Sequence, residues 1–133
     1  MDNLFIRKIW EDVNIKEWEV TAQNQFVKVK QTVYIQDKRI SEIVEILSDF
    51  IETKNNVYFE IGKKEGNYTP ALSMEFNCID LKGNVNIELD MEVADNEERK
   101  HRCSLYVKTD LVAIEGLMEN LKNNNNYIKL YEQ

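Results

Sequence analysis

The chain has 133 residues, room for one domain with a real core and too few for two comfortable ones. Lys and Arg number 17 against 24 Asp and Glu, a net charge of −7. That balance argues against nucleic acid or an anionic membrane as partner, since both demand basic surface.

The first quarter reads as strands. Leu4–Trp10 is apolar around a basic pair, and Trp18, Val20 and Ala22 alternate with Glu19 and Thr21. Phe26–Ile35 places Val27, Val29, Val33 and Ile35 on one face and Lys28, Lys30, Thr32 and Tyr34 on the other. Gln23-Asn24-Gln25 between these runs fits a hairpin loop. Asp37 then sits where an N-cap carboxylate accepts from unpaired backbone N–H groups. Ile40, Ile43, Val44, Leu47, Phe50 and Ile51 follow at helical spacing, and Lys54-Asn55-Asn56 ends the helix.

Val57–Ile61 is the next strand, followed by the loop Gly62–Pro70. Ala71–Asp80 sets Leu72, Met74, Phe76 and Cys78 on one face. Val85–Val93 alternates Val85, Ile87, Leu89, Met91 and Val93 inward with Asn86, Glu88, Asp90 and Glu92 outward. Arg102–Thr109 presents Cys103, Leu105 and Val107 inward. Opposed residues of an antiparallel pair share a face, so parity tests the register. A turn at Leu81-Lys82 pairs Cys78 with Val85, Phe76 with Ile87 and Met74 with Leu89, all apolar on apolar. Pairing Val93 with Cys103 gives Met91 with Leu105, Leu89 with Val107, and Glu88 opposite Lys108 on the outer face.

Thr109 or Asp110 caps a second helix whose stripe is Leu111, Ile114, Leu117, Met118 and Leu121. Gly116 lies inside it at a cost of about 1 kcal/mol relative to Ala, and offers the easiest site for close packing on another element. Tyr127–Tyr131 is a short last strand or a docked tail. Strands, helix, strands, helix with hairpin-length connections predict a single α+β domain over 1–133. Its sheet is mainly antiparallel, with two helices packed on one face. No linker or internal repeat is visible.

Chemistry is sparse. The chain has one His, two Cys, four Gly and one Pro, so most catalytic constellations cannot be assembled. The lone histidine, His101, falls in the basic Arg99-Lys100-His101-Arg102 on a predicted loop, with no orienting carboxylate. The register sets Cys78 and Cys103 on the order of 26 Å apart, beyond the reach of a disulfide, which also disfavours a shared zinc and makes both small core residues. No CxxC, HExxH or P-loop exists, since Asn67-Tyr68 follows Gly66 where Lys-Ser/Thr is needed. The expectation is a non-enzymatic chain with no cofactor and no metal.

Glu88, Asp90, Glu92, Asp95, Glu97 and Glu98 put six acids into eleven residues. Three readings fit: a solvated outer face, a docking surface for a basic protein, or a divalent-cation site. The cation reading lacks the glycine and closing Glu of an EF-hand loop. Trp10 and Tyr34, if exposed together, would anchor a protein partner.

The β-rich opening, the run Ile35-Gln36-Asp37-Lys38-Arg39-Ile40-Ser41-Glu42-Ile43, the acidic-apolar strand pair and the helix Thr109-Asp110-Leu111-Val112-Ala113-Ile114-Glu115-Gly116-Leu117 come in a telling order. In this the chain resembles the small acidic immunity proteins of bacterial toxin–immunity systems, in particular the WapI-like type. The resemblance implies a cytoplasmic, non-enzymatic inhibitor that covers a cognate toxin domain. The absence of a signal-peptide pattern and of an apolar run of membrane-span length agrees with a cytoplasmic location. The leading expectation is therefore a protein-binding module, monomeric or homodimeric, that meets a basic toxin domain through the six acids. The alternatives are a small-molecule or enzymatic pocket between sheet and helices, using Tyr34, Tyr58 and Asn77, or an oligomer-forming adaptor that pairs an edge strand.

Overall fold

The computed structural model describes residues 2–62, 70–95 and 99–131. The elements run β1 (Asn3–Asp12), β2 (Ile15–Gln23), β3 (Lys28–Gln36), α1 (Asp37–Thr53), β4 (Val57–Ile61), β5 (Ala71–Cys78), β6 (Asn84–Asp95), β7 (Arg99–Asp110), α2 (Leu111–Lys122) and β8 (Tyr127–Tyr131). The fold is α+β, and its antiparallel strands are divided between two four-stranded sheets, ordered β3-β2-β1-β8 and β4-β5-β6-β7.

The order of elements contains a repeat that the residues do not spell out. Three strands as a meander, a helix and a strand occur twice: β1-β2-β3-α1-β4, then β5-β6-β7-α2-β8. The last strand of each unit leaves its own meander and pairs with the first strand of the other. Leu4 thus faces Leu130 of β8, and Leu72 faces Ile61 of β4. The registers align the units residue by residue. Ile6 opposite Val20 corresponds to Met74 opposite Leu89, and Trp18 opposite Val33 to Ile87 opposite Val107.

Both helices start by the same device. The Asp37 N–H donates to the Asn14 carbonyl at 3.0 Å, and the Leu111 N–H to the Gly83 carbonyl at 3.0 Å. Each acceptor residue closes the first turn of its meander in the left-handed region, with φ 67° at Asn14 and 90° at Gly83. Asn and Gly are the residues that reach this region at least cost. One orphan donor of each helix is thereby satisfied.

The N-caps then diverge. Asp110 caps α2, its Oδ1 accepting from the Ala113 N–H at 2.8 Å. In α1 the N-cap is Gln36, which makes no side-chain cap bond. Asp37 is the first helical residue instead, and its carboxylate pairs with the Lys16 ammonium. Lys16 lies on the inner face of β2 at 6% exposure, so the pair neutralises a charge that is otherwise enclosed. Left-handed Lys54 closes α1, donating its N–H to the Phe50 carbonyl at 2.8 Å.

One buried cluster draws on both sheets and both helices. Phe76 lies near its centre, its ring 5.8 Å from those of Phe50 and Phe59. Where Leu4, Trp18, Leu47, Met74 and Leu117 converge, the residual void is about 10 Å³ and apolar in its lining, which offers a water no partners. The layers between sheets and helices are filled with side chains at this point.

Three local expectations change. The β6–β7 ladder runs on to Asp95 opposite Arg99, so Met91 meets Cys103, Leu89 meets Leu105 and Glu88 meets Tyr106. This is two residues from the predicted register. It keeps every side chain on its expected face and adds ladder bonds near the turn. His101 therefore lies in β7 opposite Val93, not in a loop. Gly116 is exposed, with nothing within 4 Å of an added Cβ, so no other element among the described residues packs closely on it. Cys78 and Cys103 are free, on β5 and β7 at opposite ends of the β6 stretch Val85–Met91, about 20 Å at ~3.4 Å per residue.

Candidate functional site

The outer face of the second sheet gathers the acids. One row across the four strands reads Tyr58, Glu75, Glu88, Tyr106. The next reads Glu60, Ser73, Asp90, Ser104. Glu75 stands directly opposite Glu88, a like-charge pairing that disfavours the sheet. The flanking tyrosines are half-exposed, each at 53%, and both hydroxyls donate to carboxylates. Tyr58 reaches Glu60 Oε2 at 2.7 Å, and Tyr106 reaches Glu88 Oε2 at 3.1 Å. Both phenols are held above their ordinary value. Burial followed by the Glu60 bond does this at Tyr58, and the Glu88 bond followed by the Glu88 charge does it at Tyr106. Both therefore stay neutral donors through the physiological range.

Of the six expected acids, Glu88 and Asp90 lie on this face. Asp90 is gripped by the Arg102 guanidinium, Nη2 to Oδ2 at 2.8 Å and Nε to Oδ1 at 3.1 Å, so part of the acidity is neutralised within its own hairpin. Glu92 shares their parity yet is only 2% exposed, a correction to its outward placement. The sheets meet at that end. The Gln31 side-chain amide of β3 donates to the carbonyls of Ala71 at 2.9 Å and Glu92 at 3.0 Å. Consecutive residues Ala71 to Met74 are enclosed there, as are Met91 and Glu92, so pointing outward does not give exposure. Among the described residues, Glu92 Oε1 finds no hydrogen-bond partner. Asp95 closes β6 opposite Arg99, while Glu97 and Glu98 lie outside the described residues. Glu60 and Glu75 are the site acids that sequence reasoning missed. Each is a single charge in an apolar strand, and only the cross-strand register brings them to Glu88 and Asp90.

The opposite character marks the outer face of the first sheet. The rows aligned with those above read Tyr127, Arg7, Glu19, Thr32, then Lys129, Phe5, Thr21, Lys30. Arg7 pairs with Glu19 at 3.1 Å. Phe5 stacks on Tyr127 at 6.2 Å, and the Lys129 ammonium lies 5.9 Å and 5.4 Å from the two ring centroids. A β-bulge between Lys8 and Trp10 reverses the alternation of β1, which places Trp10 in one row with Glu17 and Tyr34. Trp10 and Tyr34 meet edge to face at 6.2 Å with 47% and 56% exposure, the jointly exposed pair that the sequence raised as an anchor.

A surface cleft of about 730 Å³ opens between β3, β4 and the first turns of α1, lined by Ile15, Tyr34, Arg39, Tyr58 and Glu60 among others. Arg39 donates through Nε and Nη2 to the Glu60 carbonyl at 3.0 and 2.8 Å, covering that edge of β4. The edge of β7 is covered in turn. Asn24 donates to the Tyr106 carbonyl at 2.9 Å, and the Lys108 N–H donates to Asp2 at 2.9 Å. Tyr34 and Tyr58 thus share a cleft at the surface, and Asn77 lies on β5 away from its lining.

Among the described residues no His/Cys/Asp/Glu group is arranged to hold a metal ion, and no helix is long and apolar enough to cross a membrane. Compared with known proteins, the chain matches no family model, no curated protein and no solved structure.

Proposed function

We propose that the chain is a non-enzymatic protein-binding module, an immunity-type protein that meets a basic toxin domain on the outer face of its second sheet. The carrying observation is Glu75 opposite Glu88 between two half-exposed tyrosines. A like-charge pair on a regular sheet is a local cost that a cationic partner would relieve. Tyrosine is also a side chain favoured in interface cores. Rigid strands hold the carboxylates, so little ordering entropy opposes binding. In this reading the protein works in the cytoplasm and steers its partner by charge.

The partner to test is a toxin domain sought in the gene's neighbourhood. Glu75→Lys with Glu88→Lys should weaken its binding by about a hundredfold, at roughly 1–2 kcal/mol for each reversed charge. Unchanged affinity in folded protein overturns the surface, and a gene neighbourhood without a toxin overturns the immunity reading. The cleft favours a second reading, a small-molecule site between Tyr34 and Tyr58. Ligand-induced thermal stabilisation that Tyr34→Ala abolishes would select it.

A further inference from the structure

We infer that the outer face of the first sheet is a docking surface for a second copy of this chain, which it meets through that copy's acidic second-sheet face. The two faces come from the same repeat and so share strand number, order and register. Apart from Glu19 and Glu88, which are acidic in both, their charges at aligned positions are inverted or absent. Arg7 corresponds to Glu75, Lys129 to Glu60, Thr21 to Asp90 and Lys30 to Ser104. Where the second sheet has two carboxylates in each row, the first sheet has two cations in one row and the Arg7–Glu19 ion pair in the other. Lys28 and Lys30 are exposed and make no ion pair among the described residues. This occurs in a chain of net charge −7, where basic surface is scarce.

Aromatic side chains give the face more than charge. Trp10, Tyr34, Phe5 and Tyr127 lie on it, the last two with Lys129 over their rings. Half-exposed Trp and Tyr beside cations are the residue types that dominate interface energetics. The facing surface supplies Tyr58 and Tyr106 as counterparts.

Four strands about 4.8 Å apart, over some five residues of ~3.4 Å, give a face of roughly 330 Å², about two-fifths of a standard interface per partner. The association is therefore weak and reversible. Because different patches meet, it is heterologous, and copies add head to tail without closing into a two-fold dimer. The contact covers Glu75 and Glu88, so it competes with any basic partner on that face. It does not depend on the proposed function, since it is read on the protein alone.

Sedimentation equilibrium of the full chain tests it. At about 0.01 M ionic strength the weight-average mass should rise with concentration past the dimer, and at about 0.5 M the association should weaken at least tenfold as charges are screened. Lys28→Ser with Lys30→Ser and Lys129→Ser removes one face, and Glu75→Gln with Glu88→Gln removes the other. Each variant alone should remain monomeric, while an equimolar mixture should stop at a 1:1 dimer. A monomeric wild-type protein at millimolar concentration and low salt overturns the inference, as does a mixture that associates no better than its components. Binding of a single-stranded oligonucleotide to the wild-type face without self-association overturns it in favour of a nucleic-acid platform.

Discussion

Laid over one another by register, the two units agree where the core requires it and differ where it does not. Leu4 and Leu72, Ile6 and Met74, Val20 and Leu89, and Val33 and Val107 are aligned, apolar and buried in both. At three other inner positions the first unit is the more polar, with Lys8, Lys16 and Gln31 at the positions of Phe76, Val85 and Leu105. Each of these polar groups has a partner. Lys8 bonds Glu11, Lys16 pairs with Asp37, and Gln31 bridges the carbonyls of Ala71 and Glu92. Phe76 of the second unit meets Phe50 and Phe59 of the first at the aromatic centre of the core, and the first unit also supplies the polar joints that fix how the units meet. On the outer faces no packing demand operates, and there the charges are opposed at Arg7 against Glu75 and at Lys129 against Glu60. That freedom is why the outer rows, and not the core, carry information about binding.

The strongest test compares Phe76 with Lys8. Phe76→Ala removes a fully buried ring from contact with Phe50 and Phe59 and should cost about 3–5 kcal/mol. Lys8→Ala, at the aligned position, removes a side chain whose ammonium reaches half-exposed Glu11 and should cost under about 1 kcal/mol. Urea unfolding midpoints at unchanged slope give both values. Equal losses would break the asymmetry between the units.

The helix starts should show a smaller difference. Asp37→Ala leaves the Lys16 ammonium enclosed without its anion and should cost about 2–3 kcal/mol, below the loss for a fully buried pair because Asp37 is itself half-exposed. Asp110→Ala removes only a cap on the Ala113 N–H, about 1 kcal/mol. Adding Lys16→Met to Asp37→Ala should recover most of the larger loss, because the aligned Val85 shows that an apolar residue fits this position. Failure to recover would mean that Asp37 acts through the helix terminus alone.

These contrasts also show which features were legible in the residues. The helix over Asp37–Thr53 and the strand Val57–Ile61 follow from periodicity, since each has one clear apolar face. The β5–β6 register was readable because a short turn with Asp80 and Gly83 leaves a single pairing that keeps apolar on apolar. Asp80 accepts from the Lys82 N–H at 2.8 Å and from the Asn84 side chain at 2.7 Å, fixing that turn. The β6–β7 register slipped by two because parity is blind to an even shift, and the charged stretch between the strands carries no turn signal. The exchange of β4 and β8 has no local signature at all. A five-residue apolar strand fits beside either meander, and which one it joins is decided by tertiary packing. Gln31 could have been found, since it shares parity with Val29 and Val33. Its polarity argued for exposure, and only a bridge to the other sheet explains its burial. At the candidate site, Glu88 and Asp90 were visible as alternating acids. Glu75 carries no signal in its own strand, although the readable β5–β6 register already sets it opposite Glu88.

The smallest effect concerns that pair directly. Arg7 opposite Glu19 and Glu75 opposite Glu88 occupy aligned places in their sheets, one an ion pair and the other a repulsion. Glu75→Arg would give the second sheet the arrangement of the first and should stabilise the protein by about 0.5 kcal/mol. Arg7→Glu should do the reverse and cost a similar amount, and both effects should shrink in high salt. If Glu75→Arg stabilises the fold while weakening partner capture, the native residue is retained against stability, as expected of a group that serves a bound partner. If it stabilises the fold and capture is unaffected, the acidic row is a solvated surface, and binding must be sought on the aromatic face of the other sheet.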